Sequence, residues 1–332
     1  MAKGQRPVAS DKTAIVAKLP RACMDETAAV EFFEEQRWGD EPLCAHCQSD
    51  KVYKMGNATG DGRNKRFLWR CRACNRQYTV RVGTVYEDSP IPLRHWAYAF
   101  WKACSSKKGV SALQIKRETG LTYKSALFLM HRIRFAMAQN YAAQPKMGDV
   151  TGIIEADETY VGGRPRHKAQ SRSEAAKEWK ERKTPVFSIV ERDGTKRSFV
   201  TTDVTAENLG RILQENVSLA SHLMTDTAGV YRGSIGKPFA RHSMTDHTAR
   251  EYAKPDGTHS NTVESAFSLL KRGIYGTFHN VSRKHLHRYV AEFDFRWNAR
   301  KIDDGARTVR AIKSSVGKRL RYREPVLKVV RD

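Results

Sequence analysis

The stretch Gly152-Ile-Ile-Glu-Ala-Asp-Glu-Thr-Tyr-Val161 is where the chain changes texture. Ahead of it the pattern is cysteine knuckles and helices, and from it onward short apolar runs alternate with polar turns. Its first half is an apolar, strand-like run that ends on Asp157. A second run, Leu223-Met-Thr-Asp226, also ends on an aspartate. A carboxylate at a strand end in an apolar sheet is costly to desolvate unless a positive charge pairs with it. The partner is a metal ion or a structural salt bridge, and one aspartate alone does not choose between them.

Working outward, Pro185–Gly194 and Lys196–Val204 read as two more strands, with Asp193-Gly194 between them as a hairpin signal. Residues 207–217 suit a helix. In Asn261-Thr-Val-Glu-Ser-Ala-Phe-Ser-Leu-Leu-Lys271, the apolar Val263, Ala266, Phe267 and Leu270 fall at i, i+3, i+4 and i+7, which is a helix packed on a core. Glu264 and Lys271 then lie nearly above one another beside that stripe. Glu264 is placed to reach a metal and Lys271 a phosphate, while Asn261, one turn earlier, is a neighbouring ligand or orienting group. An amide is a weaker ligand than a carboxylate for Mg2+. Glu155 shares a strand face with Asp157 and suits a pairing role, whereas Glu158 points the other way. His242, His247 and His259 precede the helix as structural or DNA-positioning groups. Trp297 is expected to pack, and Arg296 to pack or touch DNA.

Between Gly162 and Pro185 lies a basic, weakly apolar insertion, read as a mobile loop, a helix ordered by DNA or a solvated linker. Further upstream, Cys44-Ala-His-Cys47 and Cys71-Arg-Ala-Cys74 are two CxxC pairs separated by 23 residues. Four thiolates complete tetrahedral zinc with no open position, so the site is structural and the fold a zinc ribbon. Cys23 and Cys104 read as ordinary thiols. From Lys51 to Arg81 nine basic residues face one acidic residue, a surface suited to phosphates. Residues 27–36 and 92–138 read as helical. Ser111 and Thr122 are caps and Gly120 a turn, the punctuation of a helix-turn-helix. Its last helix is expected to present Lys124, Arg132 and Arg134 to DNA, the rival reading being a plain helical linker.

The 332 residues carry 59 Lys plus Arg against 36 Asp plus Glu, a net charge of +23. Such an excess seeks a polyanion, and with no basic amphipathic anchor that polyanion is nucleic acid rather than membrane. No run approaches the roughly 20 apolar residues of a membrane span, and no apolar signal core opens the chain. A reducing cytoplasm beside the nucleoid is the expected setting, which suits six cysteines without a disulfide framework. Residues 1–24 read as a mobile basic run. From about Arg300 eleven basic residues accompany four acidic ones, read as a tail that touches DNA or a solvated end. The expected division is an N-terminal segment (1–40), zinc ribbon (41–85), helical DNA-binding segment (86–145), catalytic domain (150–300) and basic tail (301–332).

ADETYVGG, the TDTAG aspartate and the stretch from His259 to Asn298 resemble the DDE transposases of insertion sequences. The group numbered fifteen-ninety-five, called ISXO-two-like, is most similar, and the likeness runs over roughly 25–320. It implies an α/β fold with a ribonuclease-H-like catalytic domain, a mixed sheet flanked by helices. It implies Asp157, Asp226 and Glu264 as ligands of Mg2+ (or Mn2+), with Lys271 as the following basic residue and Lys271 and Arg272 on DNA. The implied activity frees 3′-hydroxyls at the element's ends and joins them to target DNA, with double-stranded DNA (terminal inverted repeats and target) as partner and a homo-oligomer at work. The alternatives are a silent DNA-binding regulator and a nuclease of the same fold.

Overall fold

The computed structural model describes residues 10–60, 62–149, 151–163, 171, 173–174, 182–246 and 253–321. Most of the basic insertion, His247 and the last eleven residues lie outside the described residues, and with them the expectations made there. The chain divides into two units. One holds residues 1–106, 110–137 and 302–332; the other holds 107–109 and 138–301.

The first unit begins with α1 (Ser10–Met24) and α2 (Glu26–Trp38). Residues 10–24 were expected to be a mobile run, yet they form a helix that buries Leu19 and Ala22. Asp25 caps α2 by accepting from the N–H of Ala28 at 2.7 Å, and Ala29, Val30, Phe32 and Phe33 form its buried stripe. Three short antiparallel strands follow, β1 (Val52–Lys54), β2 (Trp69–Cys71) and β3 (Gln77–Tyr78), in the order β1-β2-β3. Trp38 of α2 packs against their Trp69 and Tyr78, and buried Glu34 accepts from Trp69 Nε1 at 2.6 Å while pairing with Arg63. The ribbon is therefore anchored to the preceding helix by a shared core and a buried charge pair.

Next come α3 (Leu93–Ser105), α4 (Ala112–Thr119) and α5 (Tyr123–Met137). Ser111 accepts from Gln114 N at 3.1 Å, Thr122 from Ser125 N at 3.2 Å, and Gly120 takes φ +73, the left-handed conformation that ends a helix. The helix-turn-helix punctuation read from the sequence is thus present.

The second unit is built on a five-stranded sheet. Its strands are β4 (Ile153–Val161), β5 (Thr184–Glu191), β6 (Lys196–Val200), β7 (His222–Asp226) and β8 (Arg241–Thr245), with α6 (Ala206–Asn216) between β6 and β7. They order as β6-β5-β4-β7-β8. β4, β5 and β6 form an antiparallel meander turned at Asp193 (φ +56), whereas β7 and β8 run parallel to β4. This is the mixed sheet expected of a ribonuclease-H-like domain. On one face Leu209, Ile212 and Leu213 of α6 cover Ile154, Ala156, Phe187 and Leu223. On the other lie α7 (Asn261–Gly273) and α8 (Arg283–Asn298), joined by a π turn over Ile274–Phe278. Leu270 and Phe293 pack there on Val161 and Val186, and Val263 and Phe267 on Val190. α7 and α8 meet at Gly273, where a Cβ would come 2.2 Å from Phe293.

The segment expected to be a C-terminal tail instead folds as α9 (Asp304–Lys313) and belongs to the first unit, where it packs on α3, α1 and α2. Thr308, Ala311 and Ile312 are buried in it. Its charge count hid an amphipathic helix: Arg310 and Lys313 face outward, while Arg307 turns in to donate to the Cys104 carbonyl at 2.8 Å.

Candidate metal centres

Two sets of side chains have the composition of metal ligands, and their geometries differ. In the ribbon, Cys44, Cys47, Cys71 and Cys74 bring their Sγ atoms within 4.8 Å of one another, the one such group among the described residues. Two of the contacts, Cys44–Cys74 and Cys47–Cys71, are 3.7 Å. A Zn–S bond of about 2.3 Å in a tetrahedron sets S···S edges at about 3.8 Å, so the four thiols already span the zinc polyhedron. The N–H of His46 points at Cys44 Sγ (3.4 Å) and that of Cys74 at Cys71 Sγ (3.5 Å), the second holding the Cys71 thiol down at about 7. His46 stands outside the ligand set. Cys23 and Cys104 stand outside the cluster; Cys104 Sγ donates to the Arg307 carbonyl at 3.8 Å, and burial pushes the Cys23 thiol up to about 11.

The acids lie on the sheet. β4 pairs with β7 in parallel as Ile153↔His222, Ile154↔Leu223 and Glu155↔Met224. Continuing that register by two residues sets Asp157 level with Asp226. The expectation that Asp157 ends its strand needs correcting: β4 runs on to Val161, and Asp157 stands opposite Ser188 of β5. The pairing with β7 ends two residues earlier, at Glu155↔Met224, and this leaves Asp157 unpaired on its β7 side. Asp226 is the last residue of β7, and its Oδ1 accepts from Ala228 N at 3.0 Å.

Glu264 is half-buried in the first turn of α7, one turn after the exposed Asn261. Lys271 and Arg272 are exposed in its last turn. Burial pushes the Asp157 carboxyl up to about 8, with the charges of Glu158, Asp226 and Glu264 adding to the rise. The charges of Asp226 and Glu264 thus bear on Asp157, though the three acids gather more loosely than the cysteines. Glu158 is on the opposite face, as expected, where it accepts a hydrogen bond from the hydroxyl of buried Tyr231.

That burial, together with the charges beside it, has a measurable consequence. An acid whose pKa rises on folding holds its proton in the folded state at pH values where the unfolded chain has released it. Its contribution to stability is therefore complete below the ordinary 3.8 and is lost as pH climbs toward about 8. Asp157→Asn removes this loss. In EDTA at pH 8 the variant should be more stable than the parent by on the order of 1 kcal/mol, or about 2–4 °C in Tm. A thermal scan in which the variant melts lower across pH 6–8 would contradict the crowding of acids.

Residues 149–298 match the ISXO2-like transposase domain. Residues 24–77 match the transposase zinc-ribbon domain. The chain carries an ISXO2-like transposase domain behind its own zinc ribbon. The five-stranded sheet lies within the first match and the four-cysteine cluster within the second. An uncharacterized protein in transposable element ISH50 of Halobacterium salinarum is 27% identical over 284 residues, which is 82% of this chain and 91% of that one.

Within the transposase domain, several polar residues have roles that the sequence did not disclose. Glu155 is fully buried and pairs with Arg192, its Oε1 lying 2.7 Å from Nε. Arg192 had drawn no attention, since its partners are 32–67 residues away and no local spacing links them. His259 Nδ1 lies 3.3 Å from the Glu155 carboxylate, and His242 Nε2 bonds Thr225 Oγ1 at 2.9 Å, so both histidines are held inside the fold. Arg296 is buried against Glu292 and is not a surface group for DNA. Trp297 packs beside Val190, Val263 and Phe267 as expected. Asn298 pins β6 by exchanging two hydrogen bonds with the backbone of Lys196.

The third helix of the helix-turn-helix also differs from expectation. Tyr123 and Lys124 are exposed at the start of α5, but Arg132 and Arg134 are buried. Arg132 donates to the carbonyls of Leu320 (3.1 Å) and Glu87 (3.0 Å). The chain beyond α9 returns over this end of α5, and Lys318 bonds the Ala136 carbonyl at 2.6 Å. The two arginines assigned to DNA are therefore inside the fold, where Arg132 ties α5 to the chain beyond α9.

Among the described residues no helix is long and apolar enough to cross a membrane.

Proposed function

We propose that this chain is a DNA transposase that binds the ends of its insertion sequence, cleaves to free 3′-hydroxyls and joins these to target DNA. The observation that carries the reading is the buried Asp157 carboxyl of β4 with the charges of Asp226 and Glu264 bearing on it, in an ISXO2-like transposase domain. Divalent cations would offset those charges, and an all-carboxylate set is what Mg2+ or Mn2+ prefers. Bound there, two such ions supply activation of the attacking oxygen and stabilisation of the leaving one.

The protein's own groups then hold and orient. Asp157 and Asp226 fix the donors from adjacent strands, and Glu264 closes the set from α7. Asn261 stands one turn away as an orienting amide. Lys271 and Arg272, two turns beyond Glu264 and about 10 Å along the helix, contact the phosphate backbone. Exposed Lys124 and the basic ribbon supply further phosphate contacts, which position DNA without reading its bases. Double-stranded DNA, terminal repeats and target alike, is the partner, with two or more copies of the chain on paired ends inside the cell.

A strand-transfer assay with Mg2+ and DNA carrying the element's terminal repeats tests this. Cleavage at the ends followed by joining is the expected result. Binding without cleavage would make the chain a DNA-binding regulator, and cleavage without joining a nuclease.

A further inference from the structure

We propose that Glu155 is a positioning residue, whose buried carboxylate fixes the helix bearing Glu264 to the strand bearing Asp157 and so sets the spacing of the acid cluster. The inference rests on the reading of those acids as metal ligands and adds a residue to their support.

The side chain of Glu155 is completely buried, and four hydrogen bonds converge on it. Its Oε2 accepts from the backbone N–H groups of Thr262 (2.8 Å) and Val263 (3.1 Å). Its Oε1 accepts from Thr262 Oγ1 (2.8 Å) and Arg192 Nε (2.7 Å). Thr262 and Val263 are the second and third residues of α7, whose N–H groups a capping side chain ordinarily satisfies. Ser260, the residue at the capping position, makes no such bond. Glu155 takes its place from a strand more than a hundred residues earlier in the chain. Its negative charge also lies at the positive end of the helix.

Arg192 completes the clamp. Its guanidinium donates to the carbonyls of Gly257 and His259, each at 3.0 Å, and so holds the approach to α7 as well as the carboxylate. A buried charge persists only when paired and hydrogen-bonded, and here both conditions are met.

The geometry explains why this capping matters for the site. Glu155 is two residues before Asp157 on the same face of β4, a step of about 6.6 Å. Val263, which it grips, is the residue before Glu264. One side chain thus links the neighbourhoods of the two acids directly, while 106 residues of chain lie between them. The same device recurs in the first unit, where Glu26 accepts from Leu93 N and Arg94 N at the start of α3. There the capped turn begins with Leu93 and Arg94 and bears no acid. Only at Glu155 does the capped turn carry a metal-binding candidate.

Glu155→Gln keeps one acceptor oxygen but loses the charge and places an NH2 against one set of donors. With the full chain, the expected result is Mn2+ binding about tenfold weaker by electron paramagnetic resonance titration, as for other groups that support metal ligands. Cleavage at limiting Mn2+ should fall in parallel and recover in part at saturating metal, with affinity for DNA ends unchanged. Unchanged Mn2+ affinity with only a lowered Tm would make Glu155 a purely structural cap and overturn the proposal. Should Glu155→Gln fail to fold, Thr262→Val decides, since it deletes one bond and leaves the charges paired. It should weaken Mn2+ two- to threefold, and wild-type binding would overturn the proposal. Glu264→Gln measured alongside separates the two readings. If it too binds Mn2+ like the parent, the metal assignment itself fails; if it alone weakens binding, only the role of Glu155 does.

Discussion

Glu264→Gln is expected to abolish both cleavage and joining, by roughly a thousandfold or more, while leaving the fold and the affinity for DNA ends intact. Electrostatic stabilisation by a bound cation supplies several kcal/mol to phosphoryl chemistry, and each 1.4 kcal/mol is about a factor of ten. The glutamine keeps the shape of the side chain on α7 but replaces a charged oxygen donor by a neutral one that Mg2+ binds poorly. Packing should not suffer, because Val263, Ala266, Phe267 and Leu270 bury α7 without help from position 264. Asn261 provides the internal comparison. It is exposed, uncharged and one turn away, so Asn261→Ala should cost about tenfold or less. Full activity in Glu264→Gln together with an inactive Asn261→Ala would transfer the third ligand to Asn261.

The second large effect is expected at the other end of the chain. Removing zinc with a strong chelator, or replacing Cys71 by Ser, should unfold the ribbon and abolish binding to DNA ends. Structural zinc sites contribute on the order of 10–16 kcal/mol, as much as or more than the 5–15 kcal/mol that holds a typical domain together. The ribbon has little else: strands of two or three residues, and a core of Trp69, Tyr78 and the cysteines themselves. Trp38 and Trp69 meet edge to face at 5.4 Å across the boundary between α2 and the ribbon, so tryptophan near-UV dichroism reports the loss directly. One zinc per chain by elemental analysis is the companion measurement. A protein that keeps its dichroism and its DNA affinity after complete zinc removal would show the cluster to be dispensable. The two predictions separate the functions of the chain, since the first removes chemistry and keeps binding while the second removes binding.

Some of this was legible in the amino-acid order and some was not. The hairpin at Asp193-Gly194, the caps at Ser111 and Thr122, the Gly120 turn, the apolar stripe of α7 and the four zinc-type cysteines were all readable because each is local. Period, cap and knuckle are set by residues within a few positions of one another. The influence of Asp226 and Glu264 on Asp157 was anticipated only through resemblance, because no local rule brings positions 157, 226 and 264 together. The errors share one cause. Arg132 and Arg134 have the composition of a DNA-reading helix, and residues 302–321 that of a solvated tail, until the second covers the first. Asp157 reads as a strand end because its apolar run stops there, although β5 carries the strand four residues further.

The sequence by itself determined which four cysteines form the cluster, the alternation of helix and strand, and which carboxylates were candidates, since these follow from side-chain chemistry at fixed short spacing. Only the tertiary structure decided which charges face solvent and which are buried, and which side chain holds α7 to β4. The reason is physical. A buried Glu155 or Arg132 is stable only with its particular partners in place, and chain closure over a hundred or more residues brings those partners to it.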